Sequence, residues 1–201
     1  MKRCVITISR QCGSGGHTIG MKVAERLGIP FYDKKILEMV SERSGFSKEI
    51  IQQEGEYRPT GLLYDIAANL PYANHFAGNG YTPLPDQIYA FQKKLIQELA
   101  EKESCVIVGR CADYILRGRT DGFHVFIKGN LEDRISRVVS EHSIPSEKAA
   151  THVLGRDKKR SQHYRHYTDC PWGMAENYTL CLDSSFYGVE RCVDMILDSL
   201  R

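Results

Sequence analysis

Apolar and polar residues switch between two periods along this chain, and the switches mark its elements. Val5 to Ile8 is a short, β-branched apolar run, the pattern of a strand covered on both faces. Ile19, Val23 and Leu27 follow at four-residue steps, which places them on one face of a helix. Gly28 and Pro30 stop that helix. Ile29 to Tyr32 reads as a short extended piece. Asp33 stands where it would cap the next helix, whose buried face is Ile36, Leu37, Met39 and Val40. Gly45 ends it, and Ser47 is placed to cap a short helix over 48–53.

Residues 55–86 lose both periods. Pro59, Pro71, Pro83 and Pro85 fall there with Gly61, Gly78 and Gly80, interleaved with Tyr57, Tyr64, Tyr72, Phe76 and Tyr81. Such a stretch is either a long loop with a local aromatic cluster or a flap over a ligand. From Asp86 the helical period returns in Ile88, Phe91, Leu95, Ile96 and Leu99. Cys105 to Gly109 is a continuous apolar run, hence a buried strand, with Arg110 directly after it. Phe123 to Ile127 is another strand. Asn130 then caps a helix, with Asp133 at the favourable third position and Leu131, Ile135, Val138 and Val139 directed inward. Arg134 and Arg137 share the polar face of that helix, as plain surface charges or as cations of a site. Pro145 and Ser146 open a helix that runs into the basic segment Arg156 to Arg160. Tyr178 to Leu182 is a last strand, and Val189 to Leu200 a last amphipathic helix.

Strands alternating with helices predict an α/β fold, a parallel sheet with helices on both faces joined by right-handed crossovers. Ligands in such sheets bind beyond the carboxyl ends of the strands. Those ends hold Gly13 to Thr18, Asp33 and Arg110.

The glycine-rich turn Gly13-Ser14-Gly15-Gly16 lies between a strand and a helix. That is the context in which backbone N–H groups form an anion nest and a helix N-terminus adds positive potential. A phosphate-binding loop reads G-x-x-x-x-G-K-[ST]. With Gly15 as the last glycine of that pattern, Arg10 takes the first glycine's place, Gly16 the lysine's and His17 the hydroxyl's, with Thr18 one residue later. The turn is therefore either a phosphate loop without its lysine or a glycine turn that packs a helix closely onto a strand.

Composition narrows the choices. The 201 residues are 42% hydrophobic and 26% charged, ordinary for a globular chain with a sizeable core. A net charge of +2 is too balanced to make nucleic acid or a membrane surface the main partner. The seven cysteines are odd in number, and none form a C-x-x-C pair. They predict a reducing, cytoplasmic setting rather than a disulfide framework. Met1-Lys2-Arg3 precedes too few apolar residues for a secretory signal, and no apolar run reaches membrane-spanning length. His163, His166 and Cys170 lack a matching second pair, so a zinc site is not expected. No sequence feature specifies an oligomeric state.

Several motifs, in order, resemble the cytidylate kinase-like branch of the nucleoside monophosphate kinases, within the P-loop NTPase fold. They are Ile6 to Gln11 with Gly13 to Gly16, Tyr32-Asp33-Lys34, and Val106 to Arg110. They continue in Arg156 to Arg160, Tyr164-Arg165 with Tyr167-Thr168, and Asn177-Tyr178 through Leu182 to Ser185. The resemblance spans nearly the whole chain. It implies a three-layer P-loop fold over 1–201, with a helical acceptor-side insert at 34–100 and a lid at 155–173. It implies transfer of the γ-phosphoryl of ATP, with Mg²⁺, to a small phosphorylated acceptor such as CMP or dCMP. On that resemblance Gly13, Ser14, Gly15, Gly16, His17 and Thr18 bind the nucleotide's phosphates. Arg156 and Arg160 are the lid arginines, four residues apart on one helical face and able to converge on one phosphate cluster. Arg110 grips the acceptor's phosphate, and Asp33 and Asp157 stand near the acceptor. Helix capping accounts for Asp33 equally well. The missing lysine leaves a second reading, a non-catalytic nucleotide-binding protein with a degenerate loop. The 55–86 stretch, unmatched to the family's acceptor insert, leaves a third, a kinase for a different small acceptor.

Overall fold

Five short apolar runs pair into one all-parallel sheet. They are β1 (Val5–Arg10), β2 (Phe31–Tyr32), β3 (Cys105–Val108), β4 (Gly122–Lys128) and β5 (Leu180–Asp183). Their order across the sheet is β2-β3-β1-β4-β5, so the strand that precedes the glycine turn is central. The computed structural model describes residues 3–54, 82–142 and 144–200. Of the irregular 55–86 stretch, residues 55–81 lie outside the described residues.

The helices are α1 (Gly16–Leu27), α2 (Lys34–Ser44), α3 (Lys48–Glu54), α4 (Leu84–Lys102), α5 (Ala112–Ile115), α6 (Leu131–His142), α7 (Ser146–Thr168) and α8 (Ser184–Asp198). Alternation along the strands divides the core into two faces. Ile6 and Ile8 of β1 join Val106, Val108, Val125 and Ile127 against Ile19 and Val23 of α1 and Val193 and Ile196 of α8. Val5 and Ile107 point the other way, toward Ile36 and Val40 of α2 and Leu95, Ile96 and Leu99 of α4. Gly20 lets α1 approach the sheet, since a Cβ there would lie 3.0 Å from Ile8 Cδ1 and 3.1 Å from Val108 Cγ2. A third, small cluster joins Cys12 of the glycine loop to Val138 of α6 and Val153 of α7. Among the described residues no helix is long and apolar enough to cross a membrane.

The expected elements are present, with shifted starts. Helix α1 begins at Gly16 rather than Ile19, because the loop closes directly into it and Ile19 N donates to Gly15 O at 2.9 Å. Helix α4 begins before Asp86, at Leu84, with Pro85 in its first turn where a missing N–H is harmless. The last helix begins at Ser184, capped by the Asp183 carboxylate, and is interrupted at Gly188 before its regular part. The inward face of α6 is also turned from expectation. Leu131 is 38% exposed, and Arg134, at 6%, takes the buried position.

Candidate functional site

The carboxyl end of β1 leads into a loop whose carbonyl groups are held by arginine side chains. Arg160 Nη1 donates to Arg10 O at 3.0 Å, Arg134 Nη1 to Cys12 O at 3.2 Å, and Arg137 Nη1 to Gly13 O at 3.0 Å. Gln11 adds a fourth tie, its Oε1 accepting from Gly129 N at 3.1 Å. Gln11 N, Cys12 N and Ser14 N are engaged by Ile127 O, Asp157 Oδ1 and Gln11 O, so an anion nest here would draw on the N–H groups of the loop glycines. Helix α1 begins at that side with no side-chain cap and no acidic residue in its first turn. The positive end of its dipole is therefore left for a ligand. Gly13 and Gly15 adopt φ of +75° and +73°, and a Cβ at Gly13 would collide with the Arg134 backbone carbonyl.

A cavity of about 310 Å³ opens over this loop. Gly13, Gly15, Gly16, His17 and Thr18 line one side, and Arg137, His152, Arg156 and Arg160 line the other. The structure thus brings five of the six expected loop residues to one cavity with both expected lid arginines. Ser14 is the exception. It is fully buried, and its hydroxyl donates to Gln11 O at 2.9 Å, bracing the turn instead of facing the cavity.

A second, much smaller cavity of about 30 Å³ adjoins the first. Ser9, Gly109, Arg110, Tyr164 and Trp172 line it, and Arg10 and Arg160 line both cavities. Three successive left-handed residues, Gly109, Arg110 and Cys111 at φ of +76°, +60° and +53°, make the sharp turn after β3 that buries Arg110 here. Such backbone costs about 1–3 kcal/mol for each non-glycine residue, and it persists where the surroundings enforce it, often at functional sites. Ser9 Oγ accepts a hydrogen bond from Trp172 Nε1 at 3.0 Å, which joins the end of β1 to the turn after α7.

Asp33 does not cap its helix. Its carboxylate makes no side-chain cap. Instead it meets His17 Nδ1 at 2.8 Å and Arg10 Nη2 at 3.7 Å. Burial raises its pKa, but the His17 hydrogen bond and the charges of Arg10 and Arg110 outweigh burial and hold it below the usual carboxylate value. Asp157 is likewise turned away from the acceptor-side cavity. Its Oδ1 accepts from Cys12 N at 2.7 Å and its Oδ2 pairs with Arg134 Nη1 at 2.5 Å. It braces the phosphate loop from beneath. The two arginines left open by the sequence, Arg134 and Arg137, belong to that same brace. Arg10 was visible in the motif as a departure, and only the fold shows that its side chain enters both cavities. Among the described residues no group of three or more His, Cys, Asp or Glu side chains is placed to hold a metal ion.

Tyr164 Oη donates to Asp113 Oδ2 at 2.7 Å beside the smaller cavity, and burial raises Asp113 to a pKa of about 6. An unfolded aspartate titrates near 3.9. Between these values the folded state binds the proton more tightly, so this group's contribution to stability falls as pH rises from about 4 to about 6, then levels off. Asp113→Asn removes the titration and keeps an acceptor for Tyr164. Urea melts at two pH values, near 4.5 and near 7.5, should show the variant gaining on the parent by roughly 2 kcal/mol at the higher pH. An unchanged difference between the two pH values would contradict the assignment.

A central strand, a glycine loop and a helix N-terminus within this parallel sheet define a P-loop kinase fold. Residues 5–186 match the sequence signature of the cytidylate kinase-like family, and the chain belongs to that family. It is 24% identical over 190 residues to a protein from Methanopyrus kandleri named cytidylate kinase, covering 90% of this chain and 84% of that one. Among solved structures it is similar to an uncharacterized protein from Eubacterium ventriosum, with a TM-score of 0.73, 26% identity and 98% of both chains covered. It also shares its fold with shikimate kinase from Bacteroides thetaiotaomicron, at a TM-score of 0.56 and 16% identity, again over 98% of both chains. The family supports phosphoryl transfer as the class of activity and the P-loop as a nucleotide site.

Proposed function

We propose that the protein transfers the γ-phosphoryl group of ATP to a nucleoside monophosphate such as CMP or dCMP in the cytoplasm. The observation that carries this reading is the pair of adjoining cavities sharing Arg10 and Arg160, one over an anion nest and one against Arg110. ATP lies with its phosphates on the loop and the first turn of α1. Arg156 and Arg160, on a 155–173 lid, face those phosphates from the opposite wall. Arg110 and Arg160 hold the acceptor's phosphate, and Asp33 orients Arg10 and His17 between the two. The transition state spreads negative charge over the phosphoryl oxygens, so placement and cationic stabilisation account for most of the catalysis. Thr18, on the cavity wall at the start of α1, is the residue whose hydroxyl would serve as a hard oxygen donor to Mg²⁺, whereas the Asp33 carboxylate is held by His17 and Arg10. Mg²⁺ bound with ATP would supply further neutralisation of phosphate charge, beside that from Arg156 and Arg160.

A coupled assay of ADP formation, run with Mg·ATP and a panel of nucleoside monophosphates, tests the reading. Turnover with a pyrimidine monophosphate is expected. Gly16 in the lysine position favours a second reading, a nucleotide sensor without chemistry, which predicts ATP binding and no turnover with any acceptor. Gly13→Ala should weaken ATP binding at least about tenfold in a calorimeter, because its left-handed φ and the Arg134 carbonyl leave no space for a methyl group. Binding equal to the parent's would remove the loop from the site.

A further inference from the structure

We propose that Arg10 is the cation that replaces the missing loop lysine, and that position 16 is glycine because Arg10 fills its space. This inference rests on the reading of the loop as a nucleotide site. In the usual pattern the first position is glycine and the seventh lysine. Here Arg10 occupies the first and Gly16 the seventh, so glycine and cation have exchanged places.

The geometry explains why they exchange together. A Cβ at Gly16 would lie 2.5 Å from Arg10 Cβ and 2.9 Å from Arg10 Cγ. These atoms sit at the root of the side chain and cannot swing aside as a flexible end would. On this backbone, one of the two positions must be glycine. A lysine at 16 requires glycine at 10, and an arginine at 10 requires glycine at 16.

Arg10 also ends where a cation is needed. Its guanidinium crosses Gly109, in space a Cβ there would occupy, and Nη2 lies 3.7 Å from Asp33 Oδ1. The residue forms wall in both cavities, at the seam where the terminal phosphate of a donor meets an acceptor. Asp33 does not cancel this charge alone, since the same carboxylate also faces His17 and Arg110. A cation at the seam engages the γ-phosphate and leaves the α- and β-phosphates to the backbone nest.

The experiment compares ATP with ADP, by calorimetry on the full chain, across Arg10→Met, Gly16→Lys and the exchange Arg10→Gly with Gly16→Lys. Arg10→Met keeps the aliphatic packing and removes the charge. It should weaken ATP at least about tenfold and ADP less than about threefold. Gly16→Lys alone should weaken both and lower the melting temperature. The exchange should return ATP affinity to within about threefold of the parent. A ligand-independent test accompanies these. Gly16→Ala should lower the melting temperature in the parent, yet raise it in the Arg10→Gly background, where alanine merely improves the first turn of a helix. Equal loss of ATP and ADP in Arg10→Met would make Arg10 a structural clamp and overturn the proposal. So would unchanged ATP binding, or an effect of Gly16→Ala that is the same in both backgrounds. If the parent binds ATP and transfers nothing, the kinase reading fails and this assignment stands on binding. If the parent binds neither nucleotide, both fail.

Discussion

Replacing Asp157 by alanine is expected to destabilise the protein by about 3–5 kcal/mol and to abolish nucleotide binding. Asp157 compensates the Arg134 guanidinium, whose side chain is only 7% exposed, and accepts from the backbone N–H of Cys12. Removing it leaves a buried charge without its counterion and a loop N–H without its acceptor. Both losses fall on the segment that shapes the anion nest. Breaking one side of such a pair costs more than the pair itself contributes, because the remaining ion stays desolvated. Adding Arg134→Met to Asp157→Ala should therefore recover part of the loss, since no unpaired ion remains. Urea unfolding of the parent, the single variant and the double variant measures this. A single variant within about 1 kcal/mol of the parent would show that the pair is solvated and that the loop does not depend on it.

Arg156→Ala should show the opposite balance. Turnover is expected to fall about 10²–10³-fold, the usual effect of removing one donor aimed at transition-state charge. Its melting temperature should stay within about 2 °C of the parent's, because Arg156 is only partly buried. Steady-state kinetics beside a thermal melt separates these effects. Equal turnover would take Arg156 out of the reaction, and a large drop in stability would make it part of the loop's brace, as Arg134 is.

The contrast between these two residues shows how far the sequence could be read. Strand and helix identities followed from periodicity, because apolar faces are local patterns and the sheet buries them as the pattern demands. The glycine loop was legible for the same reason, lying between a strand run and a helical run. Partners distant in sequence were not. Asp33 stands one residue before a helix, so capping was a sufficient local explanation, yet its oxygens meet Arg10 and His17. Asp157 lies within a basic helical run beside the expected lid arginines, and only the packing of α6 against α7 turns it under Cys12. Arg134 could be a surface charge or a site cation on spacing alone. The answer depended on Asp157, 23 positions away. The role of the Ser14 hydroxyl, which braces the loop through Gln11 O, was not visible in the motif. The exchange of glycine and cation between positions 10 and 16 was visible as two departures from a motif. It became one fact when the two side-chain positions proved to share a space.

The most direct test of the central claim follows the γ-phosphoryl group itself. The purified protein is incubated with Mg²⁺ and ATP labelled at the γ-phosphate, with CMP or dCMP as acceptor, and the products are separated. The account predicts label in the nucleoside diphosphate, formed only when the monophosphate is present. Label that remains in ATP, or that appears as inorganic phosphate at the same rate with and without acceptor, would contradict it.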